Sequence, residues 1–347
     1  MKKRKVCIIG RIAPGVELYD GQTVKTRLLY DQLKTKTDWD IRVVDTYNKK
    51  KKIRLFFRSI HCLFKCKDVF ICLSSNGIGV YFKMLNFFMK VRKNRVYHYI
   101  VGGNHHKYLV EHPKYIKISK KFAVNWAQTN NLVEELRKLG IENAKYMPNF
   151  KPIEPVDISK SIIYEKAPFK FVMFSRITKT KGIDIASETV ERINNEYGKT
   201  VCTLDVFGVV EDSFEEEFSN ILKNNPFVKY NGAKNPFESG EVLKDYYVLL
   251  FPTHWDGEGF AATILDAYFG GIPVIATDWN CNAEIVNNGK TGFIYPNEQF
   301  KDLYECVKYA IENPDKMNAM KQNCVDFAKE YTPNKYIDEI VNFVESK

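Results

Sequence analysis

The sequence predicts an α/β protein built from two doubly wound domains, and three observations lead to this prediction. Its 347 residues exceed what a single hydrophobic core usually serves. Unbroken apolar runs of strand length alternate with helical patterns along the chain, which is typical of parallel sheets covered by helices on both faces. A stretch with three prolines, residues 148–155, separates two such arrays. We therefore expect one doubly wound domain on each side of it.

The first domain is predicted at 1–155 and the second at 156–332. Strands of the first are expected at 5–10, 41–47, 69–74, 96–101 and 123–128, with helices that include 22–33 and 132–139. Strands of the second are expected at 169–175, 202–208, 227–232, 247–253, 272–277 and 292–295, with helices that include 183–196 and 241–245. A last helix at 336–344 follows Pro333 and could pack on either domain.

Charge is divided unequally along the chain. Residues 1–160 contain 33 Lys and Arg against 13 Asp and Glu, whereas residues 161–347 contain 19 against 29. A basic first half indicates an anionic partner: nucleic acid, a membrane surface or a phosphorylated substrate. No apolar run reaches membrane-spanning length, and the first apolar run is too short for a secretory signal, so we expect a cytoplasmic protein.

Two cations bracket the loop that follows the predicted strand 169–175. Arg176 comes directly after the strand, and Lys181 lies just before the predicted helix 183–196. An arginine fork, a lysine point charge and a helix N-terminus together suit a diphosphate. A solvated loop with ordinary surface cations has the same pattern, so this loop alone leaves both interpretations open.

A second loop follows the predicted strand 247–253 and contains Glu258. Gly259 is expected to open a helix whose first-turn N–H groups can bind phosphate. Asp266 would then lie about two turns along that helix, on the same side as Glu258. A carboxylate in so apolar a stretch either hydrogen-bonds sugar hydroxyls or finds a protein partner, and the sequence leaves both alternatives open.

Taken together, these segments resemble the GT-B glycosyltransferases of family 4, the large retaining group. Residues 175–182, SRITKTKG, resemble its GR-L-x-x-x-K-G segment, and residues 258–266, EGFAATILD, resemble its E-x7-E motif with Asp266 in place of the second Glu. Residues 270–278 resemble its CG-x-PV-x-A-S-D stretch, residues 284–293 its E-x-V-x-x-G-x-x-G segment, and residues 147–149 its interdomain PN. The resemblance covers about residues 145–295 and extends only loosely to the first half.

The resemblance implies two Rossmann-like domains that face each other across a cleft, with the last helix, about 333–347, returning to the first domain. It implies a retaining, metal-independent transfer of sugar from a UDP-, GDP- or similar nucleotide sugar, with no cofactor. Arg176 and Lys181 would hold the diphosphate, and Glu258 would orient the donor sugar. The remaining donor contacts implied in the second half are backbone groups of Gly259, Phe260 and Ala261, ribose binding by Asp266, a base pocket at Ala233–Pro236, and a close approach of Gly208 to the nucleotide.

Donor contacts are also expected in the first half. Gly21, which opens a predicted helix, resembles the family's glycine loop beside the donor phosphates, although a plain turn into a helix explains it equally well. The family places a histidine near the end of the strand predicted at 96–101. Here Gly102 and Gly103 stand at the strand end, and His105 and His106 follow. His105 is the predicted catalytic residue, with His106 or the backbone of the two glycines as alternatives.

Residues 49–67 mix cations with large apolar residues at helical spacing. Such a segment can lie on an anionic bilayer, or it can pack on its own sheet with a solvated basic face. The first alternative predicts peripheral contact with the inner face of the cytoplasmic membrane and a glycan or lipid-linked acceptor, as in cell-surface polysaccharide synthesis.

Two other functions compete with a glycosyltransferase. A GT-B sugar-nucleotide epimerase or hydrolase would need acid and base carboxylates in the first half, where the candidates are Glu17, Asp20 and Glu111. A nucleic-acid-binding protein would explain the basic half, but the sequence has no RNP, zinc-finger or helix-turn-helix signature, so we expect no nucleic-acid partner. We also expect no metal site: the eight cysteines form no CxxC pair, and the cluster His61, Cys62 and Cys66 has no second ligand cluster at usable spacing.

Overall fold

The structure is a computed structural model that describes residues 3–16, 18, 20–47, 52–296 and 300–347. The chain forms two compact units. The first contains residues 1–150, 257–260 and 333–347, and the second contains residues 151–256 and 261–332. Among the described residues, no helix is both long enough and apolar enough to cross a bilayer.

The first unit is built on a six-stranded parallel sheet in the order β2-β1-β3-β4-β5-β6. Its strands are β1 (Lys5–Gly10), β2 (Asp40–Asp45), β3 (Asp68–Cys72), β4 (Arg95–Tyr99), β5 (Val124–Ala127) and β6 (Ala144–Tyr146). Its helices are α1 (Gly21–Lys36), α2 (Lys52–Lys65), α3 (Ser75–Arg92), α4 (His105–Glu111), α5 (Pro113–Ser119) and α6 (Asn130–Lys138). The apolar runs form strands because both sheet faces are covered, and every residue of β3 and β5 is buried.

The second unit repeats this architecture in the order β12-β11-β10-β7-β8-β9. Its strands are β7 (Phe169–Phe174), β8 (Cys202–Phe207), β9 (Val228–Tyr230), β10 (Val248–Phe251), β11 (Val274–Thr277) and β12 (Gly292–Tyr295). Its helices are α7 (Ile183–Tyr197), α8 (Glu215–Asn224), α9 (Ser239–Leu243), α10 (Ala262–Phe269), α11 (Asn282–Ile285), α12 (Phe300–Glu312) and α13 (Pro314–Lys329).

The last helix, α14 (Pro333–Glu345), belongs to the first unit. The ring of Phe343 lies 5.8 Å from that of Trp126 and 6.2 Å from that of Tyr97, both edge-on. Tyr336 stacks on Phe150 at 5.6 Å. Aromatic packing therefore holds the end of the chain against β4 and β5.

The predicted fold class is confirmed, and the structure adds two differences of detail. The three-residue strand β6 was not predicted, because Ala144–Tyr146 is too short to give a recognisable apolar run. The helix expected to open at Gly259 begins instead at Ala262, with Ala261 as its N-cap residue. Glu258 lies in the loop, as predicted, but four residues before the helix begins, so helical spacing no longer relates its side to that of Asp266.

Candidate functional site

The strand order of the second unit changes direction between β7 and β10, which are neighbours in the sheet although two strands separate them in the chain. In doubly wound sheets, ligands bind outside the carboxyl ends of the strands at this switch point. Both loops that the sequence singled out begin here, because Arg176 follows β7 and Trp255 follows β10. Topology thus identifies the same strand ends as the charge pattern did.

Arg176 and Lys181 meet at the indole ring of Trp255. The guanidinium carbon of Arg176 lies 5.3 Å from the ring centroid, and Lys181 Nζ lies 4.9 Å from it. Lys181 Nζ also lies 5.2 Å from the ring of Phe251 at the end of β10, and its side chain is buried, whereas Arg176 is exposed. The two predicted cations therefore both contact the ring of Trp255, and this contact restricts the conformations of both side chains before a ligand binds.

Gly182 explains how Lys181 reaches this position. The chain turns through a short 3₁₀ helix, Lys179–Lys181, and Gly182 then adopts a left-handed conformation (φ 73°) as the N-cap of α7. A Cβ at this position would lie 2.3 Å from the carbonyl oxygen of Pro252. Glycine is needed here both for the backbone angle and for the close approach to the loop after β10.

The loop after β10 is tied to its neighbours by backbone and side-chain hydrogen bonds. His254 N–H donates to Thr180 O at 2.9 Å, and Trp279 Nε1 donates to Trp255 O at 2.9 Å. Thr277 Oγ1 donates to Thr253 O at 2.6 Å. Trp255 was not predicted as a site residue, because its role depends on Lys181 and Arg176, which are distant in the chain.

The start of α10 lies beside the end of β7. Thr263 in its first turn donates to the carbonyl oxygen of Phe174 at 2.5 Å, two residues before Arg176. The first N–H groups of a helix have no partners within it and carry partial positive charge. The N-terminus of α10 therefore adds to the positive potential at the carboxyl end of β7.

Asp266 is buried in α10 and forms an ion pair with Lys151, a residue that the sequence did not single out. Lys151 Nζ also donates to Pro236 O at 2.9 Å and to Ser239 Oγ at 3.2 Å. Burial lowers the pKa of the Lys151 ammonium to about 7. The carboxylate contact favours the charged form, and three acceptors match the three ammonium N–H groups, so we take the pair as ionised at neutral pH.

Of the two alternatives that the sequence left open for Asp266, the structure therefore provides the protein partner. One carboxylate oxygen accepts from Lys151, and the same ammonium holds the loop after β9 through Pro236. This loop contains Ala233, which is exposed. Lys151 thus connects two elements that the family resemblance implies both contact the nucleotide.

Glu258 lies in the segment 257–260, which groups with the first unit. This segment runs against the loop after β4, where a Cβ on Gly103 would lie 2.1 Å from Glu258 O, and a Cβ on Gly259 would lie 3.0 Å from the backbone nitrogen of Gly103. Asn149 Nδ2 donates to Phe260 O at 2.8 Å. The two glycines are thus required by direct backbone approach, and Asn149 fixes the segment that carries Glu258, which is itself buried.

His105 is buried at the start of α4, with its ring edge-on to that of His98 at 4.9 Å. Burial lowers the pKa of His105 well below its ordinary value, and His98 and His106 act in the same direction. His98 Nδ1–H donates to Asn125 Oδ1 at 3.0 Å, and burial lowers the pKa of His98 to about 4. His106 is half-buried, and burial lowers its pKa as well. His105 is therefore a neutral imidazole within the first unit.

The remaining predicted glycines have local structural explanations. Gly208 (φ 149°) lies where an added Cβ would be 1.8 Å from Ser175 O, so the backbones after β7 and β8 approach each other there. Gly102 adopts a left-handed conformation (φ 84°). Gly21 opens α1 behind Asp20, whose side chain caps the helix at Thr23 N–H and pairs with Arg11 at 3.2 Å.

Two further candidates concern the competing functions. Asp20 is engaged as this helix cap, Glu111 is exposed at the end of α4, and Glu17 lies outside the described residues. Within the part of the chain that the structure describes, no group of three or more His, Cys, Asp or Glu side chains is arranged to hold a metal ion.

Comparison with known proteins identifies the second unit. Residues 156–325, about half of the chain, match the family "Glycosyl transferases group 1". This stretch is a glycosyltransferase family domain, and several relatives of the chain are named glycosyltransferases.

Two curated relatives illustrate the similarity. The GtfA subunit of the UDP-N-acetylglucosamine–peptide N-acetylglucosaminyltransferase of Streptococcus pneumoniae is 23% identical over 260 residues, covering 71% of this chain and 48% of that protein. The capsular polysaccharide biosynthesis glycosyltransferase CapM of Staphylococcus aureus is 28% identical over 167 residues, covering 48% of this chain and 42% of that protein. The chain spans less than half the length of these relatives.

Solved structures confirm the fold along nearly the whole chain. HepE from Anabaena, solved in complex with UDP, has a TM-score of 0.73 at 14% identity and covers 99% of this chain and 100% of its own. Sucrose-phosphate synthase from Thermosynechococcus elongatus has a TM-score of 0.76 at 12% identity, with 99% of each chain covered. The predicted GT-B class is therefore confirmed.

Proposed function

We propose that this protein is a glycosyltransferase that moves a sugar from a nucleotide-diphosphate sugar to a glycan or lipid-linked acceptor in cell-surface polysaccharide synthesis. The observation that carries the proposal is the convergence of Arg176 and Lys181 on Trp255 at the β7–β10 switch point. The names of the relatives support it, since GtfA uses UDP-N-acetylglucosamine, CapM acts in capsular polysaccharide biosynthesis and HepE binds UDP.

The charges of the site fit this chemistry. In the reaction, the anomeric carbon exchanges its bond to a diphosphate oxygen for a bond to an acceptor hydroxyl, whose proton is released with the nucleoside diphosphate. Negative charge grows on the departing phosphate in the transition state. Fixed cations at Arg176 and Lys181 and the N–H groups at the start of α10 stabilise that charge without reorganising. Removing one such donor typically lowers turnover by about 10²–10³-fold.

The finer assignments follow the family resemblance. Glu258 orients the donor sugar, the backbone of Gly259, Phe260 and Ala261 presents N–H groups, and Asp266 contacts the ribose through the carboxylate that Lys151 holds in place. Gly21, Gly102, Gly103, Gly208 and Ala233 complete the proposed donor contacts. Contact between His105 and the donor stays a prediction, and it would involve a neutral ring.

Retention of anomeric configuration and independence from metal ions are part of the same proposal. Two cations and a helix N-terminus supply positive charge where other glycosyltransferases use a metal ion. Turnover should therefore be unchanged by a chelator, and a chelator that abolishes turnover of the purified protein would show that this part of the proposal is wrong.

The test is incubation with a panel of UDP- and GDP-sugars, with and without a lipid-linked acceptor, followed by detection of free nucleoside diphosphate and of glycosylated acceptor. Acceptor-dependent release supports a transferase. Release without transfer would indicate a hydrolase, and a changed sugar nucleotide an epimerase. Glu258→Gln should lose turnover, and full activity of this variant would refute its assignment.

We also propose that the first unit contacts an anionic membrane through residues 49–67, of which 49–51 lie outside the described residues. Helix α2 packs inward with Ser59, Cys62 and Leu63, which are buried. Its opposite face exposes Ile53 (76%), Phe57 (65%), Phe56 and Phe64 to solvent. Arg54, Arg58 and Lys65 are exposed beside this face. Exposed aromatic residues beside cations are typical of a helix that lies in a bilayer interface.

A further inference from the structure

A cleft of about 480 Å³ lies between α3 and α5 in the first unit. Its floor is formed by Tyr115 and Ile118, which are buried. Tyr115 is held by an edge-on contact with Phe82 at 5.6 Å and by a hydrogen bond from its hydroxyl to Gly79 O at 3.3 Å. The cleft therefore has a fixed aromatic and aliphatic base.

Four lysines line this cleft. Lys83 belongs to α3, Lys114 and Lys117 to α5, and Lys121 lies just beyond the end of α5. Lys121 Nζ donates to Asn86 Oδ1 of α3 at 2.9 Å, so this hydrogen bond joins the two sides of the cleft. The described residues that line the cleft include no aspartate or glutamate. Four like charges around one concavity repel each other, so an anion bound there would be stabilised by all four.

The segment that contains the cleft also has a strong excess of positive charge. Residues 69–121 contain ten lysines and arginines and a single acid, Glu111. The exposed apolar residues of α3, Val80, Phe87 and Val91, recur with Lys83 at helical spacing, so all four lie on one side of the helix. The cleft thus opens beside an apolar strip.

This strip is linked to the exposed face of α2 through Phe88, which is itself buried. The ring of Phe87 lies 5.5 Å from that of Phe88, and Phe88 lies 5.0 Å edge-on to Phe64 of α2. The guanidinium of Arg92 lies 5.7 Å from the ring of Phe64. Apolar side chains suited to the acyl region and lysines suited to phosphate therefore lie on neighbouring helices of the first unit.

We propose that the lysine cleft between α3 and α5 binds the phosphate of an anionic lipid headgroup while α2 and α3 insert their exposed aromatic side chains beside it. The ligand class is a phosphomonoester at a bilayer surface, because a compact, doubly charged group matches several ammonium groups better than a shielded phosphodiester does. This inference rests on the proposed membrane contact, and it adds a preference for one headgroup chemistry.

The experiment is sedimentation of the full chain with two sets of phosphatidylcholine vesicles, one containing phosphatidic acid and the other phosphatidylglycerol, matched in zeta potential. The wild type should bind the phosphatidic acid vesicles about tenfold more tightly. Lys114→Gln/Lys117→Gln should lose this preference and bind both vesicles more weakly, since each lysine near an anionic surface contributes about fivefold to binding. Soluble glycerol 3-phosphate should occupy the cleft and so reduce binding to the phosphatidic acid vesicles.

A matched control is Lys223→Gln/Lys229→Gln, which removes the same charge from exposed positions of the second unit and should keep the preference. Equal binding of the wild type to both vesicles, or a preference that survives in Lys114→Gln/Lys117→Gln, would refute headgroup binding in the cleft. The proposed membrane contact would still stand. Binding to neither vesicle would overturn both. Glycosyl transfer to a soluble acceptor is independent of all these outcomes.

Discussion

Replacing Lys151 by Met tests whether the second unit depends on a buried ion pair. The substitution leaves the Asp266 carboxylate without its ammonium partner in a site where both side chains are at most 9% exposed. Breaking such a pair from one side costs about 3–5 kcal/mol. The carboxyl group can instead take up a proton, which at pH 7 costs about 4 kcal/mol, because the ordinary Asp pKa is about 3.9 and each pH unit is worth about 1.36 kcal/mol. By either route, we expect the free energy of unfolding to fall by about 4 kcal/mol.

This prediction also has a pH signature. In Lys151→Met, the folded state raises the pKa of Asp266 above its unfolded value, so the penalty is absent below about pH 4 and grows by up to about 1.4 kcal/mol per unit as pH rises. Urea unfolding followed by tryptophan fluorescence measures it, with hydrogen exchange in α10 to assign the transition to the second unit. Lys179→Met, which removes an exposed partner of Glu217, is the control and should change nothing measurable. A loss below about 1 kcal/mol that is independent of pH would refute the reasoning.

Two other predictions concern the first unit. Burial lowers the pKa of Lys25 to about 7, so between about pH 7 and 10 the unfolded chain binds more protons than the folded one. The free energy of unfolding of the first unit therefore rises by up to about 1.4 kcal/mol per pH unit in this range. Lys25→Met should lose this pH dependence in urea unfolding, and an unchanged dependence would contradict the assignment. Phe56→Ser/Phe57→Ser removes two side chains that are 49% and 65% exposed, worth about 1 kcal/mol each on insertion, so vesicle binding should weaken about 30-fold. Val209→Ser, at an exposed position of the second unit, should leave vesicle binding unchanged, and unaltered binding of the phenylalanine variant would exclude α2 as the contact.

The strands could be predicted because their signal is local. An apolar run such as Val248–Phe251 indicates that the segment is buried on both sheet faces, and the structure has a fully buried strand there. Lys181 and Arg176 were found in the same way, since the end of a strand and two cations are adjacent in sequence. Their common support, Trp255, follows another strand and could be assigned only once β7 and β10 were known to be neighbours.

Tertiary contacts explain what the sequence left open. The apolar spacing of α2 predicted an amphipathic helix, but spacing alone does not say which face turns inward. In the structure, that face contains Cys62 and Leu63. Gly259 is a plausible helix start by residue type, yet its small size serves the approach to the backbone of Gly103, and the helix begins later. Lys151 stands in a proline-rich linker, where nothing local indicates that it pairs with Asp266.

The central claim is that Lys181 and Arg176 hold the diphosphate of a nucleotide sugar. The most direct measurement is the affinity of UDP and GDP for the wild type, Lys181→Met and Lys179→Met by calorimetry. The two lysines belong to the same short turn, but only Lys181 is buried against Trp255, whereas Lys179 is exposed and paired with Glu217. The account predicts that Lys181→Met weakens binding of the preferred nucleotide by about tenfold or more while Lys179→Met leaves it unchanged. Equal affinities for all three proteins would contradict it.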